Sequence, residues 1–417
     1  MVRFMDKSKA QSRRGTFTRR TWFQRLPDQP TITTPYLRHS EAFLNAERAR
    51  LAAQPGLGFA GLLVVVPLAA LLAFGPDGAE SAVVILSPLM TFALPVLSMV
   101  AFWWEDWPGS SLRPGWSALV DTLLIAAAGV ALAAVGQMIV GHSDVSGLFD
   151  STPEPGSAPL YPAAMPLGLT VFTAMLQLTL VCEGWPFKRL PRLVAGFAAL
   201  ALSWGLALLV QYTAYRFRAP AGSGLISQDG PFSHEDLSAV FALCGAWQVW
   251  FFIVWRGWPL NKLGRRWLRI TLGNLLVFAG TAFSFALLDG LLDVAAGTIL
   301  ATVTSFSTAG LIVAMLFEGT FRSRMSTAWE RAMTLLVSVV VGAGLFGGLI
   351  AYAGTLTWTT SSAEGWVSHV CVNALGAGVL FHVGVSRRWP LNGTTSPAQR
   401  SAAHPPADDL GLSSSTP

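Results

Sequence analysis

Trp255-Arg256-Gly257-Trp258-Pro259-Leu260-Asn261 closes the apolar run 236–255, and related strings close four other apolar runs of the chain. They are Trp104-Glu105-Asp106-Trp107-Pro108, Cys182-Glu183-Gly184-Trp185-Pro186-Phe187, Phe317-Glu318-Gly319-Thr320-Phe321 and Arg387-Arg388-Trp389-Pro390-Leu391-Asn392. The Trp, or the Thr in its place, recurs at spacings of 78, 73, 62 and 69 residues. Each interval holds two membrane-length helices and their connections. Trp favours the headgroup level of a bilayer, and Pro ends a helix because it lacks an N–H and forces its predecessor out of the helical region. Trp107-Pro108, Trp185-Pro186, Trp258-Pro259 and Trp389-Pro390 therefore read as interfacial helix stops.

Working outward from these stops, ten apolar runs emerge at 57–75, 82–103, 116–140, 163–182, 193–214, 236–255, 268–288, 295–317, 332–356 and 366–385. The first is the weakest, with Pro67 inside it and Gly75-Pro76-Asp77-Gly78 at its end, so nine spans is the competing count. The expected fold is all-α: a polytopic integral membrane protein whose ten transmembrane helices form five parallel two-helix hairpins, with both termini cytoplasmic. Parallel copies argue against an inverted five-plus-five transporter plan.

Composition supports the class. Of 417 residues, 52% are hydrophobic and 12% charged, about half the charge of an ordinary soluble domain. Disordered, collagenous, disulfide-rich and ordinary cytosolic readings are excluded on this ground. Cys182, Cys244 and Cys371 lie in apolar runs without CxxC spacing and read as small core side chains. Arginine far outnumbers lysine, a habit of GC-rich bacterial genomes. Basic residues gather on the cytoplasmic side of short loops. With the N-terminus inside, 26 of the 28 fall there and only Arg216 and Arg218 fall outside, where Asp144, Asp150, Glu154, Asp229, Glu235, Asp236 and Glu364 are expected.

Three regions follow. Residues 1–55 form a basic cytoplasmic arm, with an interfacial helix expected over 40–53. Residues 56–392 form the ten-helix domain, and residues 393–417 a disordered cytoplasmic tail rich in Pro, Ser, Ala and Thr. Ser12-Arg13-Arg14-Gly15-Thr16-Phe17 resembles a twin-arginine export signal, but Arg19, Arg20, Arg25 and Pro27 stand where its apolar segment belongs. The expected partners are the bilayer itself and, at the arm, anionic lipid or a cytoplasmic protein. Nucleic acid is not expected, and the oligomeric state is not legible.

Two sets of polar residues are candidate sites. Glu105, Glu183, Arg256, Glu318 and Arg387 stand two places before the Trp or Thr of each string, at equivalent depth. As a ring of ion pairs they would close the inner mouth of a central path. The plainer reading has each facing headgroups or loop arginines. At the opposite edge, His142, His234, His369, Asp289 and Asp293 combine imidazoles with carboxylates, the chemistry of a metal or proton site. Ordinary wet helix ends are the plainer reading. At i and i+4, Asp289 and Asp293 are expected to share a helix face and repel. Asp121 is the acid expected at membrane depth, and Gln137, Gln177, Gln211, Gln248, Asn274 and Asn373 are amides suited to helix-to-helix hydrogen bonds. His369 and His382 are turned about 220° apart on one helix, which does not suit haem.

Walker A, dinucleotide and nucleophile-elbow motifs do not occur in the sequence. The leading functional expectation is a carrier or permease for a small solute, not ATP-driven by itself and more likely than not without enzymatic activity. Membrane-embedded enzyme or redox subunit acting on a lipophilic substrate is the first alternative, with a metal ion as its cofactor; otherwise no cofactor is expected. A non-catalytic membrane subunit or scaffold is the second.

Overall fold

A computed structural model describes residues 53–141, 145–149, 160–320, 326–386 and 388–391. Among these residues the apolar runs form ten helical rods: α1 Gly56–Leu72, α2 Ala79–Trp103, α3 Pro114–Val140, α4 Met165–Val181, α5 Arg192–Thr213, α6 His234–Val254, α7 Arg266–Leu291, α8 Ala296–Leu316, α9 Thr327–Ala353 and α10 Ala363–Val385. Eight are long and apolar enough to cross a membrane, while α1 and α4 are shorter apolar helices. The chain is thus mostly helical and has the make-up of a multi-pass membrane protein. A two-stranded ribbon, β1 Arg216–Phe217 against β2 Gln228–Asp229, lies between α5 and α6.

The rods sort into two layers by parity. In α2, α6, α8 and α10 the most apolar stretch is 83, 61, 72 and 72% buried, whereas in α3, α5, α7 and α9 it is 28, 28, 17 and 11% buried. Most of α4 is buried too, while α1 buries only Gly58, Gly61, Val65 and Ala69. The even helices pack in sequence, α2 on α4, α4 on α6, α6 on α8 and α8 on α10, and α10 returns to α2. They close a ring. Outside it, α3 lies on α2, α5 on α4, α7 on α6, α9 on α8 and α1 on α10.

Every exposed large apolar side chain that falls within a described helix falls on an odd one, including Leu63, Leu123, Phe197, Leu275, Phe283 and Val340. Such a surface is stable in hydrocarbon and unstable in water. The exposed tryptophans among the described residues are Trp116, Trp185, Trp267, Trp329 and Trp389. All sit just after an even helix or at the start of an odd one, which makes one end of the body an aromatic belt. Small residues let the layers touch: a Cβ on Gly129 would meet Ala93, and one on Gly342 would meet the Phe306 backbone.

Candidate functional site

The even helices end alike. Each widens in its last turn into π-type hydrogen bonding, over Met99–Trp103, Gln177–Val181, Val249–Val254, Ile312–Leu316 and Phe381–Val385. The chain then turns through left-handed backbone. Glu105, Glu183 and Arg256 have φ of 53, 52 and 53°, and the next position, Asp106, Gly184, Gly257, Gly319 or Arg388, has 60, 75, 77, 79 or 63°. This turn lets Asp106, Gly184, Gly257 and Arg388 donate their N–H groups to Val100, Leu178, Phe251 and His382 carbonyls, which the helix leaves unpaired. Glycine at three of the five second positions removes the Cβ penalty of that conformation. The four Trp-Pro bonds follow, all cis. The helices therefore stop four residues before the Trp, or the Thr in its place, and Pro begins the next short turn instead of ending the helix.

The charged positions of these turns reach sideways. Glu183 accepts from Arg266 Nε at 3.0 Å and pairs with Arg269 Nη2 at 2.8 Å, while Arg266 Nη2 donates to the Glu183 carbonyl. Both arginines open α7. Arg256 pairs at 3.8 Å with Glu330, in the first turn of α9, and Arg331 lies 4.7 Å over the Trp258 ring. Glu318 pairs with Arg388 at 3.6 Å, and buried Arg388 also donates to the Met315 and Leu316 carbonyls that end α8. Arg387 lies outside the described residues, and Glu105 is half-buried at the end of α2. The partners of Glu183 and Arg256 are thus loop and outer-helix charges, none of them among the five expected positions.

Uncharged contacts make equivalent links. Trp104 Nε1 donates to the Leu193 carbonyl at 3.3 Å and its ring stands edge-on to Phe197, joining the end of α2 to the start of α5. Phe317 stands edge-on to Phe59 at 5.1 Å, and Gln54 Nε2 donates to the Leu316 carbonyl, joining the end of α8 to the start of α1. Four of the five even helices, α2, α4, α6 and α8, are thus latched to the outer helix that leans on the next even helix of the ring. The result is a circumferential girdle.

Asp121 is fully buried at the same end. Its Oδ1 accepts the Gly109 N–H at 3.0 Å and its Oδ2 lies 3.5 Å from Ser117 Oγ, so it braces the turn between α2 and α3. A Cβ on Gly109 would collide with this carboxylate, which explains glycine there.

Within the ring, Gln248 Nε2 donates to Gln177 Oε1 at 2.6 Å and to the Thr173 carbonyl, and Gln177 passes the chain to Asn274 on α7. Asn373 Nδ2 lies within hydrogen-bond reach of Ser87 and Thr91 on α2, and Thr308 Oγ1 donates to the Cys371 carbonyl. Gln211 Nε2 donates to the Ala163 carbonyl, and Gln137 is fully buried in α3. Asn373 Oδ1, Gln248 Oε1, Ser238 Oγ and Ser307 Oγ are buried on the even helices without a protein partner.

The opposite end corrects several expectations. His369 is buried, with Nε2 2.8 Å from the Leu72 carbonyl, which joins α10 to α1, and Nδ1 3.4 Å from Asn373 Nδ2 one turn along α10, so both nitrogens are occupied. His234 opens α6 behind the Ser233 and Asp236 capping box and stands edge-on to Tyr161. Asp289 and Asp293 do not share a helix face: α7 ends at Leu291, and Asp293, at φ 52°, is the left-handed residue after which Val294 N–H bonds back to Leu288. Both are exposed to solvent, which removes the expected repulsion. His142 and Asp144 lie outside the described residues. Among the described residues no three His, Cys, Asp or Glu side chains gather as metal ligands.

Sequence reasoning missed Glu80, whose carboxylate accepts the N–H groups of Thr359, Thr360 and Ser361 and so ties the start of α2 to the connection before α10. A lone acid at a helix start carries no motif that announces a partner far along the chain. Tyr161 was missed as well: burial, then Glu235 and Glu80, push its hydroxyl up to about 12, so it is a neutral donor at every physiological pH. Comparison of the chain with protein-family models, with curated proteins and with solved structures finds no match to any of them.

Proposed function

We propose that the chain is a membrane permease for a small uncharged or zwitterionic solute, with the even helices as its inner wall and the odd helices as its lipid-facing sleeve. One observation carries the reading: among the described residues, buried polar groups concentrate on the closed even ring, and none of those groups bears a formal charge. Unpartnered Asn373 Oδ1, Gln248 Oε1 and Ser307 Oγ leave hydrogen-bonding capacity there for a passing solute. Apolar side chains turn outward on the sleeve, as a lipid boundary requires.

In this reading the ten rods are spans, the five similar helix ends descend from a duplicated hairpin, and the Trp-Pro end faces the cytoplasm with both termini. The distribution of 26 basic residues against two supports that sidedness. The arm of residues 1–55 rests on anionic headgroups. The latches at the helix ends hold the inner mouth, and Glu183 with Arg266 and Arg269, Arg256 with Glu330 and Glu318 with Arg388 are its ionic members.

Proteoliposomes tested by stopped-flow light scattering with glycerol and urea, and by isotope uptake with glycine, examine this directly. At least one solute is expected to equilibrate faster than in protein-free vesicles, and Gln248→Leu or Asn373→Leu is expected to slow it. Flux equal to that of protein-free vesicles for all three would overturn the reading.

A further inference from the structure

At the end opposite the Trp-Pro stops, four of the five even helices converge on one side chain, that of Tyr161. It stands in the turn that leads into α4, where the Ala164 N–H bonds back to the Leu160 carbonyl. Its ring is edge-on to His234, the first residue of α6, with centroids 5.7 Å apart. Its hydroxyl reaches the first turn of α10, 3.8 Å from where a Cβ on Gly365 would lie, and that same position is 3.7 Å from Val83 on α2. Glu235 on α6 and Glu80 at the start of α2 both lie close enough to act on the hydroxyl.

These contacts fix where the ring of Tyr161 lies. In the closed ring α2 stands between α4 and α10, and α8 stands between α6 and α10. A side chain anchored beside α4 that meets α6 on one flank and α10 on the other must therefore lie across the space the five helices enclose. The fifth helix closes on the same mouth: a Cβ on Gly297, in the first turn of α8, would lie 3.5 Å from the Glu364 side chain of α10. Glu80 fastens the α10 side by holding the Thr359, Thr360 and Ser361 N–H groups. Next to the Tyr161 ring, His234 Nδ1 is buried without a protein partner, and so is Ser238 Oγ one turn deeper on the same face of α6. Tyr161 itself is 9% exposed, so it stands between solvent and these groups.

We propose that Tyr161 is the gate of the even ring at the end opposite the Trp-Pro stops. Its ring closes the mouth in this structure, and rotation of the side chain away from Gly365 and His234 opens the interior to solvent. What passes the gate rests on the permease reading; the closure itself does not. Gly365 suits this role, since a residue without a side chain leaves room for the tyrosine hydroxyl to seat against α10.

Thiol labelling tests the gate without reference to transport. The full chain, with Cys182, Cys244 and Cys371 replaced by alanine and Ser238→Cys as reporter, is treated in detergent with a charged methanethiosulfonate that does not enter the micelle. Tyr161→Ala should speed labelling about tenfold, because the buried thiol then reacts without waiting for the side chain to move. Tyr161→Leu takes its place if the alanine variant does not run as a single species in gel filtration. Tyr161→Phe should label as slowly as the parent, since the ring and not the hydroxyl is the obstruction. Leu292→Ala, which trims an exposed side chain of the same end, should also leave the rate unchanged. Labelling no faster in the Tyr161→Ala or Tyr161→Leu chain than in the parent, or equally faster in Leu292→Ala, would overturn the proposal. In proteoliposomes Tyr161→Ala should also speed whichever of glycerol, urea and glycine the unsubstituted chain carries. Faster labelling with no flux of any of the three would uphold the gate and overturn the permease reading, while flux with unchanged labelling would do the reverse.

Discussion

The two ends of the helical body are built by opposite rules. At the Trp-Pro end the even helices share one stop, a π-type turn followed by left-handed backbone, and adjoining seams are closed by side chains from equivalent positions. At the other end each described connection has its own solution. Gly75 and Gly78 bond to each other across a tight turn, Asp293 caps α7, the β1–β2 ribbon spans α5 to α6, and Glu80 gathers the chain before α10. A repeated end tolerates variation in the latch, since an ion pair, an indole N–H and an aromatic edge serve the same purpose. An unrepeated end depends on single contacts with no equivalent elsewhere.

The comparison breaks most visibly at Gly109. Gly109→Ala places a Cβ into the Asp121 carboxylate and should cost about 3 kcal/mol, read as a loss of thermal stability in detergent. Gly205→Ala, with open space around its Cβ, should be neutral or slightly stabilising in the same assay. At the other end, His369→Leu strands the Leu72 carbonyl and should cost about 1–3 kcal/mol. A neutral result there would show that the unrepeated end is less dependent on its single contacts than argued above.

Smaller effects sharpen the contrast. Gly184→Ala and Gly257→Ala should each cost about 1–2 kcal/mol, because L-residues resist left-handed backbone. Asp293→Gly should gain up to about 1 kcal/mol for the same reason, while Asp289→Ala should change little. The smallest change is expected at the Arg256–Glu330 pair, where each side chain is partly exposed: Arg256→Glu should cost about 0.2–1 kcal/mol, and adding Glu330→Arg should restore it. Restoration by Glu183→Arg or Glu318→Arg instead would favour a ring over a girdle.

Much of the fold was legible. The run 82–103 became Ala79–Trp103 and the run 234–254 was foreseen at 236–255, because a membrane-length apolar stretch leaves few alternatives. The recurrence of Trp-Pro marked the end at which the even helices share one stop. The stop itself was misattributed to Pro, since the decisive feature is the left-handed residue just before the Trp or Thr, and only the glycines at 184, 257 and 319 hinted at it. Asp289 and Asp293 were misread because a four-residue spacing implies a shared face only while the helix continues. Glu80, Arg266, Arg269 and Glu330 escaped notice as partners, since long-range pairing of charges leaves no periodic trace.

By itself, the sequence determined the apolar make-up of a multi-pass membrane protein, the positions of the rods and the recurring helix stops. Tertiary structure alone decided which rods are inside. Mean hydropathy is 2.2 for buried α2 and also 2.2 for the outer helices α5 and α9. In water a helix reveals its buried face by polarity, but hydrocarbon is as apolar as a packed core, so inner and outer helices read alike. Only their packing, even helices closed on one another and odd helices laid against them, separates the two layers.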